Sequence, residues 1–396
     1  MIRTVLRRMN VLHVMLTLER AGAQEVVRTI AERLKESECK TSVCTFVDGA
    51  VRHDLEALGI PVEVLGGREY SIETPFHFFL ELRRIRRRLA ELVRQQQIDI
   101  VQTHLLQTLD FLTLLLLRVP PVKAVLWTIH NVDFLPEGGN WWTGLKRAAH
   151  RWLYLATAGR VSGVIAVSDR VHDALVEQLG PMRGRITTIA NGVDVSRFAG
   201  GGDRRALIRE LGLAADAELI LTVGRLTEQK GHCHLLEAMR SIVAARPAAQ
   251  LLLVGEGGLR EKLEQQTGRY GLSDHVRFLG EREDVPFLLA SVDLFVLPSL
   301  WEGLSIALLE AMASSTPIVA TAVSGTDQAM VAGETGLVVP GGDCAALAAA
   351  IESLLRDPER ARALGRKARE SVCAKFGARR QAEEYLALYR RLLEPC

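Results

Sequence analysis

Short apolar segments alternate with amphipathic segments along almost the whole of this 396-residue chain, and this alternation restricts the fold more than any other feature. The apolar segments have the length of buried strands, and the segments between them have apolar residues at helical spacing. Strands that alternate with helices form parallel sheets with right-handed crossovers, so the chain is predicted to be an α/β protein. The first half has predicted strands at residues 11–16, 41–47, 61–65, 98–103, 122–128, 164–167 and 186–189. The second half has them at residues 219–223, 250–254, 276–279, 294–297 and 317–320.

The length predicts two domains, because one domain usually holds about 100–200 residues. A run of three glycines and an aspartate at residues 200–203 separates the two sets of strands and is typical of a connection. We therefore predict two Rossmann-like parallel-sheet domains, at residues 1–198 and 199–377. An amphipathic, arginine-rich helix is predicted at residues 378–393, and the segment 378–396 is a candidate to pack back on the first domain.

The composition is that of a globular protein, with 48% hydrophobic and 24% charged residues. The longest apolar runs, residues 105–119 and 338–355, are interrupted by charges and are too short to span a membrane. The N-terminal segment lacks the apolar region of a secretory signal, so we expect a cytoplasmic protein, with docking on the inner face of the membrane as an alternative. The six cysteines form no C-x-x-C pair and have no histidine at zinc spacing, which predicts reduced thiols.

The charge is nearly balanced overall but differs between the halves. Residues 1–200 hold 26 Lys+Arg and 21 Asp+Glu, whereas residues 201–396 hold 23 and 26. This asymmetry is too small to predict nucleic-acid binding, and it fits an N-terminal half that meets an anionic surface or acceptor.

The loops that follow strands are the first places to search for a site, because open parallel sheets bind ligands beyond the carboxyl ends of their strands. The loop that starts at Gly224 carries Arg225 and Lys230. Arginine can bind a diphosphate bidentately and lysine adds a compact charge, so this loop is a candidate diphosphate site. The alternative is that both are ordinary solvated charges. The loop lacks the P-loop pattern, so an ATPase of that class is not supported.

A second candidate is the strand-to-helix connection with the sequence Glu302-Gly303-Leu304-Ser305. The amides of Gly303, Leu304 and Ser305 would lie at the positive end of the following helix, where phosphate oxygens bind well. Glu310, on that helix, could accept hydrogen bonds from a ribose diol, while Glu302 would lie near the sugar. The alternative is a capping carboxylate and a surface glutamate.

Glycines at three other turns would let a backbone approach a ligand closely. Gly255 follows one predicted strand, and Leu279 and Gly280 end the next and could offer backbone groups to a nucleobase. In the first half, Gly22 opens a helix and could approach the phosphate or the sugar. None of these turns has the full dinucleotide-binding pattern of a nicotinamide dehydrogenase.

Two histidines, His104 and His130, follow predicted strands of the first domain. A histidine in this position is either structural or directed at a ligand, and the sequence leaves both readings open.

Taken together, these residues resemble glycosyltransferase family four, whose members are retaining enzymes of the GT-B fold, and the resemblance covers nearly the whole chain. The segment from Glu302 to Glu310 resembles the Glu-x7-Glu motif of that family. The remaining matching segments are residues 223–226 with 230–231, 254–257, 165–168 and 191–194. The resemblance implies two Rossmann-like domains that face each other across a cleft.

The resemblance also implies roles for individual residues. Arg225 and Lys230 would hold the diphosphate, Glu310 the ribose and Glu302 the donor sugar, and His130 would lie beside the reacting centre. Two segments depart from the family pattern: Ala21-Gly22-Ala23-Gln24 replaces Gly-Gly-x-Glu, and residues 324–328 replace Gly-Gly-x-Pro-Glu. The chain has no Asp-x-Asp pair, in agreement with a metal-independent enzyme, and no cofactor is expected because the nucleotide-sugar is a substrate.

The function expected from the resemblance is retaining transfer of a sugar from a UDP- or GDP-sugar to a glycan or lipid-linked acceptor, in the synthesis of a cell-surface polysaccharide or glycolipid. Charge on the leaving diphosphate would be stabilised by Arg225, Lys230 and the helix after Gly303. The alternatives are a non-catalytic nucleotide-sugar-binding partner subunit and a sugar-nucleotide epimerase of the same fold.

The candidates on the acceptor side lie in the first half. Residues 76–94 are predicted to form a helix in which apolar residues alternate with arginines that include Arg83 and Arg87. Such a helix either lies on an anionic membrane or packs in the core with its basic face in solvent. Arg83, Arg87 and His104 are therefore acceptor-side candidates, and Trp141-Trp142 is a second candidate for membrane contact.

Overall fold

The computed structural model describes residues 8–66, 75–104, 110–131, 148, 151–157 and 159–394. It divides the chain into two compact units. Unit 1 consists of residues 1–191 with 378–396, and unit 2 consists of residues 192–377.

Unit 1 is built on a seven-stranded parallel sheet in the order β3-β2-β1-β4-β5-β6-β7. Its strands are β1 (Met9–Thr17), β2 (Cys39–Val47), β3 (Val62–Val64), β4 (Ile100–His104), β5 (Ala124–Ile129), β6 (Gly163–Ala166) and β7 (Ile186–Thr188). Its helices up to residue 191 include α1 (Gly22–Lys35), α2 (Val51–Ala57), α3 (Pro75–Gln95), α4 (Asp110–Leu114) and α5 (Asp169–Gln178), and residues 151–157 are also helical.

The sheet of unit 1 has an apolar core on each face, since successive side chains of a strand point to opposite faces. One core surrounds Trp127 and includes Leu89 and Val93 of α3. The other core includes Met15 of β1 and Val27 of α1. The apolar residues of α3 are therefore used inside the protein along the part of the helix whose side chains are described.

Unit 2 is built on a six-stranded parallel sheet in the order β10-β9-β8-β11-β12-β13. Its strands are β8 (Glu218–Val223), β9 (Ala249–Val254), β10 (Val276–Gly280), β11 (Leu294–Leu297), β12 (Ile318–Thr321) and β13 (Leu337–Val339). Its helices are α6 (Arg204–Glu210), α7 (His232–Ala245), α8 (Arg260–Arg269), α9 (Val285–Ser291), α10 (Ile306–Ala313), α11 (Thr326–Ala329), α12 (Cys344–Arg356) and α13 (Pro358–Lys375).

The last helix, α14 (Ala378–Leu393), belongs to unit 1. The Tyr389 hydroxyl donates a hydrogen bond to Oε1 of Gln102 on β4, and both side chains are fully buried. Arg390 forms an ion pair with Glu38, with 3.6 Å between Nη2 and Oε2. The helix thus packs on the sheet face that carries Gln102.

Unit 2 begins at Gly192, before the glycine run, because the Val193 amide donates to the Phe376 carbonyl over 2.8 Å. The glycine run is also packed in part. A Cβ atom added to Gly202 would lie 2.2 Å from the Ala290 carbonyl oxygen. The unit boundary therefore falls at Asn191 and not at residue 198, because Val193 pairs with Phe376 and Gly377, which follow α13.

None of the described helices is long and apolar enough to cross a membrane. Within the same described residues, no group of three or more His, Cys, Asp or Glu side chains has the arrangement of a metal site.

Candidate functional site

The centre of the unit 2 sheet brings the two predicted anion-binding loops to neighbouring positions. Strands β8 and β11 pair side by side, and the strand order reverses direction along the chain at this pair. In doubly wound sheets such a switch point is where ligands bind, beyond the carboxyl ends of the strands. The loop after β8 carries Arg225 and Lys230, and the loop after β11 carries Glu302.

Lys230 and Glu302 form a nearly buried ion pair between these loops. The lysine Nζ lies 2.5 Å from Oε1 of Glu302, and the two side chains are 15% and 7% exposed. The hydroxyl of Ser299 donates to the same oxygen over 2.7 Å. A buried charge needs a partner of this kind, so each side chain holds the other in one position.

Backbone contacts fasten the two loops to each other. The Leu300 amide donates to the Gln229 carbonyl over 2.8 Å, and the Gln229 side-chain amide donates to the Trp301 carbonyl over 3.0 Å. Gly231, with φ of +62°, would bring a Cβ atom within 2.1 Å of the Pro298 carbonyl oxygen. Glycine is therefore required there by both its conformation and the close approach.

Arg225 is exposed, and within the described part of the chain its side chain makes no hydrogen bond or ion pair. The backbone beneath it is closely packed. Gly255 has φ of +126°, and a Cβ atom on it would lie 2.2 Å from the Gly224 carbonyl oxygen. The Leu226 amide donates to the Glu256 carbonyl over 2.8 Å. The guanidinium is thus carried by a fixed loop and is open to a ligand.

The helix after Glu302 starts at Ile306, with Ser305 as its N-cap. The Ser305 hydroxyl accepts from the Leu308 amide over 3.4 Å, as a capping serine does. Gly303 and Leu304 are buried, and Glu310 is half-buried on the helix. Glu302 lies in the irregular segment before this helix, whereas Glu310 lies within the helix.

The segment that departs from the family pattern at residues 324–328 packs directly on this loop. A Cβ atom on Gly325 would lie 2.4 Å from the Gly303 carbonyl oxygen and 2.8 Å from Cα of Leu304. The glycine that the chain does keep therefore supports the backbone of the Glu302 loop.

Leu279 and Gly280 lie at the end of β10, the edge strand of the sheet. Gly280 has φ of +66° and accepts a hydrogen bond from the Gly255 amide over 2.7 Å. The turns after β9 and β10 are thus joined, and these strands lie two and three positions from β11, whose loop carries Glu302.

In unit 1, His104 ends β4 and His130 directly follows β5, and the structure brings them together. Nδ1 of His104 lies 3.2 Å from Nε2 of His130. A third histidine, His13 of β1, places its Nδ1 3.0 Å from Nε2 of His104. His13 lies in the middle of a strand and not after one, so its position in the sequence does not mark it as a site residue. The pairing of β1 with β4, and of β4 with β5, brings the three rings together.

These histidines are held neutral. Burial lowers the pKa of His13 and of His130 to about 4. Burial lowers the pKa of His104 well below its usual value, and the neighbouring His13 and His130 rings lower it further.

Gly22 is exposed at the first position of α1. Gln24, which stands where the family pattern has glutamate, is buried, and its amide nitrogen donates to the Thr17 carbonyl over 3.0 Å. The Gln24 side chain therefore joins the start of α1 to the end of β1.

Arg83 and Arg87 are exposed on α3, whereas Ile85 and Leu89 of the same helix are buried. Neither arginine contacts His104 in the part of the chain that the structure describes. Residues 105–109 and 132–147, which include Trp141 and Trp142, lie outside the described residues.

Known proteins resemble this chain along most of its length. The family model described as Glycosyltransferase Family 4 matches residues 20–197, and the model described as Glycosyl transferases group 1 matches residues 203–371. EpsF of Bacillus subtilis (strain 168) is 29% identical over 318 residues, which are 78% of each chain. The UDP-Gal:alpha-D-GlcNAc-diphosphoundecaprenol alpha-1,3-galactosyltransferase of Escherichia coli is 30% identical over 250 residues, which are 60% of this chain and 62% of that enzyme.

Among solved structures, Anabaena Alr3699/HepE in complex with UDP and glucose is similar with a TM-score of 0.82 and 22% identity, over 97% of this chain and 100% of that chain. At this identity the likeness shows the fold, and the expected GT-B fold is confirmed. The two family models match both halves of the chain, so it is a glycosyltransferase and belongs to glycosyltransferase family four.

Proposed function

We propose that this glycosyltransferase takes a sugar from a UDP- or GDP-sugar bound by unit 2 and transfers it, with retention, to a glycan or lipid-linked acceptor of a cell-surface polysaccharide or glycolipid. The observation that carries the proposal is the Lys230–Glu302 pair beside the exposed Arg225, at the carboxyl ends of β8 and β11. The ligands and substrates of related proteins support it. Alr3699/HepE was solved with UDP, and the name of the E. coli enzyme contains a UDP-sugar donor and a diphosphoundecaprenol-linked acceptor.

The two cations would act on the leaving diphosphate. When the bond between the sugar C1 and the diphosphate oxygen breaks, negative charge grows on that oxygen. Arg225 offers a bidentate donor, and Lys230 offers a charge that Glu302 already holds in position, while Ser299 in turn holds Glu302. Groups that are fixed before the reaction stabilise such charge without further reorganisation. The backbone at Gly303–Ser305, at the positive end of α10, would add to the same effect.

Other residues of unit 2 would bind the nucleoside. Glu310 on α10 would accept hydrogen bonds from the ribose diol, and the backbone at Leu279 and Gly280 would meet the base. Gly224 and Gly255 pack backbone against backbone with no side chain between them, so the phosphates would approach the backbone of this turn closely. In unit 1, Gly22 and His130 would contribute to the sugar and its reacting centre.

Glu302 is poorly suited to form a covalent glycosyl intermediate, because its Oε1 is bound by the Lys230 ammonium and by the Ser299 hydroxyl. This favours same-face transfer: the acceptor oxygen bonds to C1, the bond from C1 to the diphosphate breaks, and the acceptor proton passes to the leaving diphosphate. We propose that the cations of the protein make a metal unnecessary.

The donor class is tested by the stability of the folded protein with UDP, GDP and ADP and their sugar conjugates. A ligand at about 100 times its Kd adds about 2.7 kcal/mol to the free energy of unfolding. We expect UDP or GDP to raise the melting temperature, and we expect Arg225→Ala to abolish the rise. The matched control is Arg366→Ala, an exposed arginine on α13, which should keep it. A folded protein that none of these nucleotides stabilises would contradict the proposal.

The reaction is tested by the anomeric configuration of the product and by its dependence on metal. We expect the α-anomer of the donor to give an α-linked product, with the same rate before and after treatment with a chelator. An inverted product would refute same-face transfer, and loss of the rate with recovery on adding a divalent cation would refute metal independence. Binding without turnover would favour a partner subunit, and a new sugar nucleotide epimer would favour an epimerase.

We further propose that the enzyme works on the inner face of an anionic membrane, which it meets through the exposed basic face of α3. Arg83, Arg84, Arg86 and Arg87 lie on this face, while Ile85 and Leu89 are buried, so the attraction would be electrostatic and not an insertion of apolar residues. Wild-type protein should bind phosphatidylserine vesicles at low salt, and the double variant Arg83→Glu with Arg87→Glu should not. The control is Arg362→Glu with Arg366→Glu on α13, and a wild type that ignores the vesicles would refute this part.

A further inference from the structure

Three histidine rings of unit 1 form one continuous row of hydrogen bonds, which we call the histidine row: His13, His104 and His130. Nδ1 of His13 lies 3.0 Å from Nε2 of His104, and Nδ1 of His104 lies 3.2 Å from Nε2 of His130. The exposed fractions are 0%, 2% and 8%, so the row runs from the interior outward to the carboxyl end of β5. Two ring nitrogens lie outside these contacts, Nε2 of His13 at the interior end of the row and Nδ1 of His130 at its outer end.

The protons in such a row are not independent. A neutral histidine carries one N–H and one acceptor nitrogen, and burial, which lowers the pKa of His13 and His130 to about 4, keeps these rings neutral. Each of the two N···N contacts needs one proton. The rings are therefore either all protonated on Nδ1 or all protonated on Nε2, and the choice made at His13 is transmitted to His130.

The interior end of the row makes that choice. Nε2 of His13 is buried and has no hydrogen-bond partner among the described residues. The state with all protons on Nε2 would bury an N–H group without an acceptor, which is rare and costly in proteins. The state with all protons on Nδ1 leaves only a lone pair there. The second state is therefore favoured, and in it His130 carries its proton on Nδ1.

We propose that the histidine row fixes His130 as the Nδ1–H tautomer, so that the ring offers a hydrogen-bond donor, and not a base, to an oxygen of the bound substrate. This role at the reacting centre rests on the proposed function. His13 and His104 are then positioning residues that act through His130. The acceptor proton does not go to His130, which agrees with its passage to the leaving diphosphate in same-face transfer.

The tautomer is measured on the full chain without any substrate. Protein with ¹⁵N-labelled histidine at neutral pH gives long-range ¹H–¹⁵N correlations that distinguish Nδ1–H, Nε2–H and imidazolium, and Gln variants of each ring assign the signals. We expect all three rings as Nδ1–H, with nitrogen–nitrogen couplings across the two hydrogen bonds. The Nε2–H form or an imidazolium at any of the three would overturn the proposal.

A pair of variants of matched size tests the transmission along the row. In His13→Asn, an amide N–H can still donate to His104, so His130 should remain Nδ1–H and kcat should stay within about threefold of the wild type. In His13→Asp, the carboxylate can only accept, which should reverse the row and give His130 as Nε2–H. We then expect kcat to fall by about 100-fold, in the range for the loss of one hydrogen-bond donor at the reacting centre, with the donor KM little changed.

Equal kcat in the Asp and Asn variants, with the tautomer reversed in the Asp variant, would overturn the role of the row. If the Asp variant does not fold, the wild-type spectrum still decides the tautomer. If the wild type shows the expected spectrum but transfers no sugar from any donor, the proposed function is refuted, whereas the Nδ1–H tautomer of the histidine row is confirmed.

Discussion

The Lys230 ammonium and the Glu302 carboxylate lie 2.5 Å apart and are almost excluded from solvent, although 71 residues separate them in the chain. The pair joins the loop after β8 to the loop after β11. It therefore couples two properties that a ligand site needs, a charge for the ligand and a fixed distance between the loops. Replacing Lys230 or Glu302 alone changes both the charge offered to the ligand and the distance between the loops. Replacing both residues by neutral side chains removes the charge but can keep the distance.

Lys230→Ala should be strongly destabilising, because it leaves the buried Glu302 charge without its partner. Breaking a buried pair costs about 3–5 kcal/mol, whereas replacing both members by neutral side chains costs much less. We expect the double variant Lys230→Met with Glu302→Gln to recover most of the free energy of unfolding measured in urea, and to remain inactive. Recovery of transfer in the double variant would show that neither charge acts on the donor.

Arg225→Ala should lower kcat with little effect on stability. The side chain is exposed, so the free energy of unfolding should change by no more than about 0.5 kcal/mol. Loss of one donor to a developing anion typically lowers kcat by about 100-fold to 1,000-fold. Steady-state kinetics and a urea titration measure the two quantities, and Arg366→Ala is the control for removing an exposed arginine. A near-normal rate in Arg225→Ala would refute its role.

Gly231→Ala should cost more stability than Gly212→Ala, although the two glycines have nearly the same backbone conformation. Their φ angles are +62° and +63°, but a new Cβ atom meets the Pro298 carbonyl at 2.1 Å in the first case and nothing within 4 Å in the second. The left-handed conformation alone costs about 1–2 kcal/mol. The difference between the two variants in urea measures the close contact of the loops. Equal losses would mean that the loops adjust freely.

His232, the first residue of α7, should make unit 2 less stable in mild acid. Burial, and then the nearby Lys230 charge, lower its pKa from 6.5 to about 4. Between these values the unfolded chain binds a proton that the folded protein does not, so the free energy of unfolding falls as the pH falls. One such group contributes at most about 1.4 kcal/mol per pH unit. The slope of the free energy of unfolding against pH should be smaller by up to this amount in His232→Gln than in the wild type. The carboxylates contribute equally to the slopes of the variant and the wild type. An unchanged slope would contradict the lowered pKa.

The sheets and the site in unit 2 could be predicted because their signals are local. Apolar runs that alternate with amphipathic segments indicated the strands, and Arg225 and Glu302 stood two and five residues after the ends of two of them. The ion pair of Glu302 with Lys230 could not be predicted, since it depends on β8 and β11 being neighbours. Leu337–Val339 was not predicted as a strand, because three apolar residues next to the helix that starts at Cys344 are too few to show a period.

The histidines show the same limit more clearly. His104 and His130 follow strands and could be suspected, but His13 sits within a buried strand and looks like a core residue. Only the order of β1, β4 and β5 in the sheet brings its ring against His104. Likewise, the apolar and basic residues of α3 fitted a membrane surface or a protein core equally well, and Ile85 and Leu89 are now found in the core.

The contact between Tyr389 and Gln102 also bears on the order in which the molecule is made. Unit 2 is a single continuous stretch, residues 192–377, inserted between the two parts of unit 1. Because synthesis proceeds from the N-terminus, all residues of unit 2 leave the ribosome before α14 does. Until α14 emerges, Tyr389 does not pack on the sheet face of unit 1 that carries Gln102. We therefore expect unit 2 to finish folding before unit 1. Until α14 packs, one sheet face of unit 1 is partly exposed, and a chaperone would bind the chain at this stage.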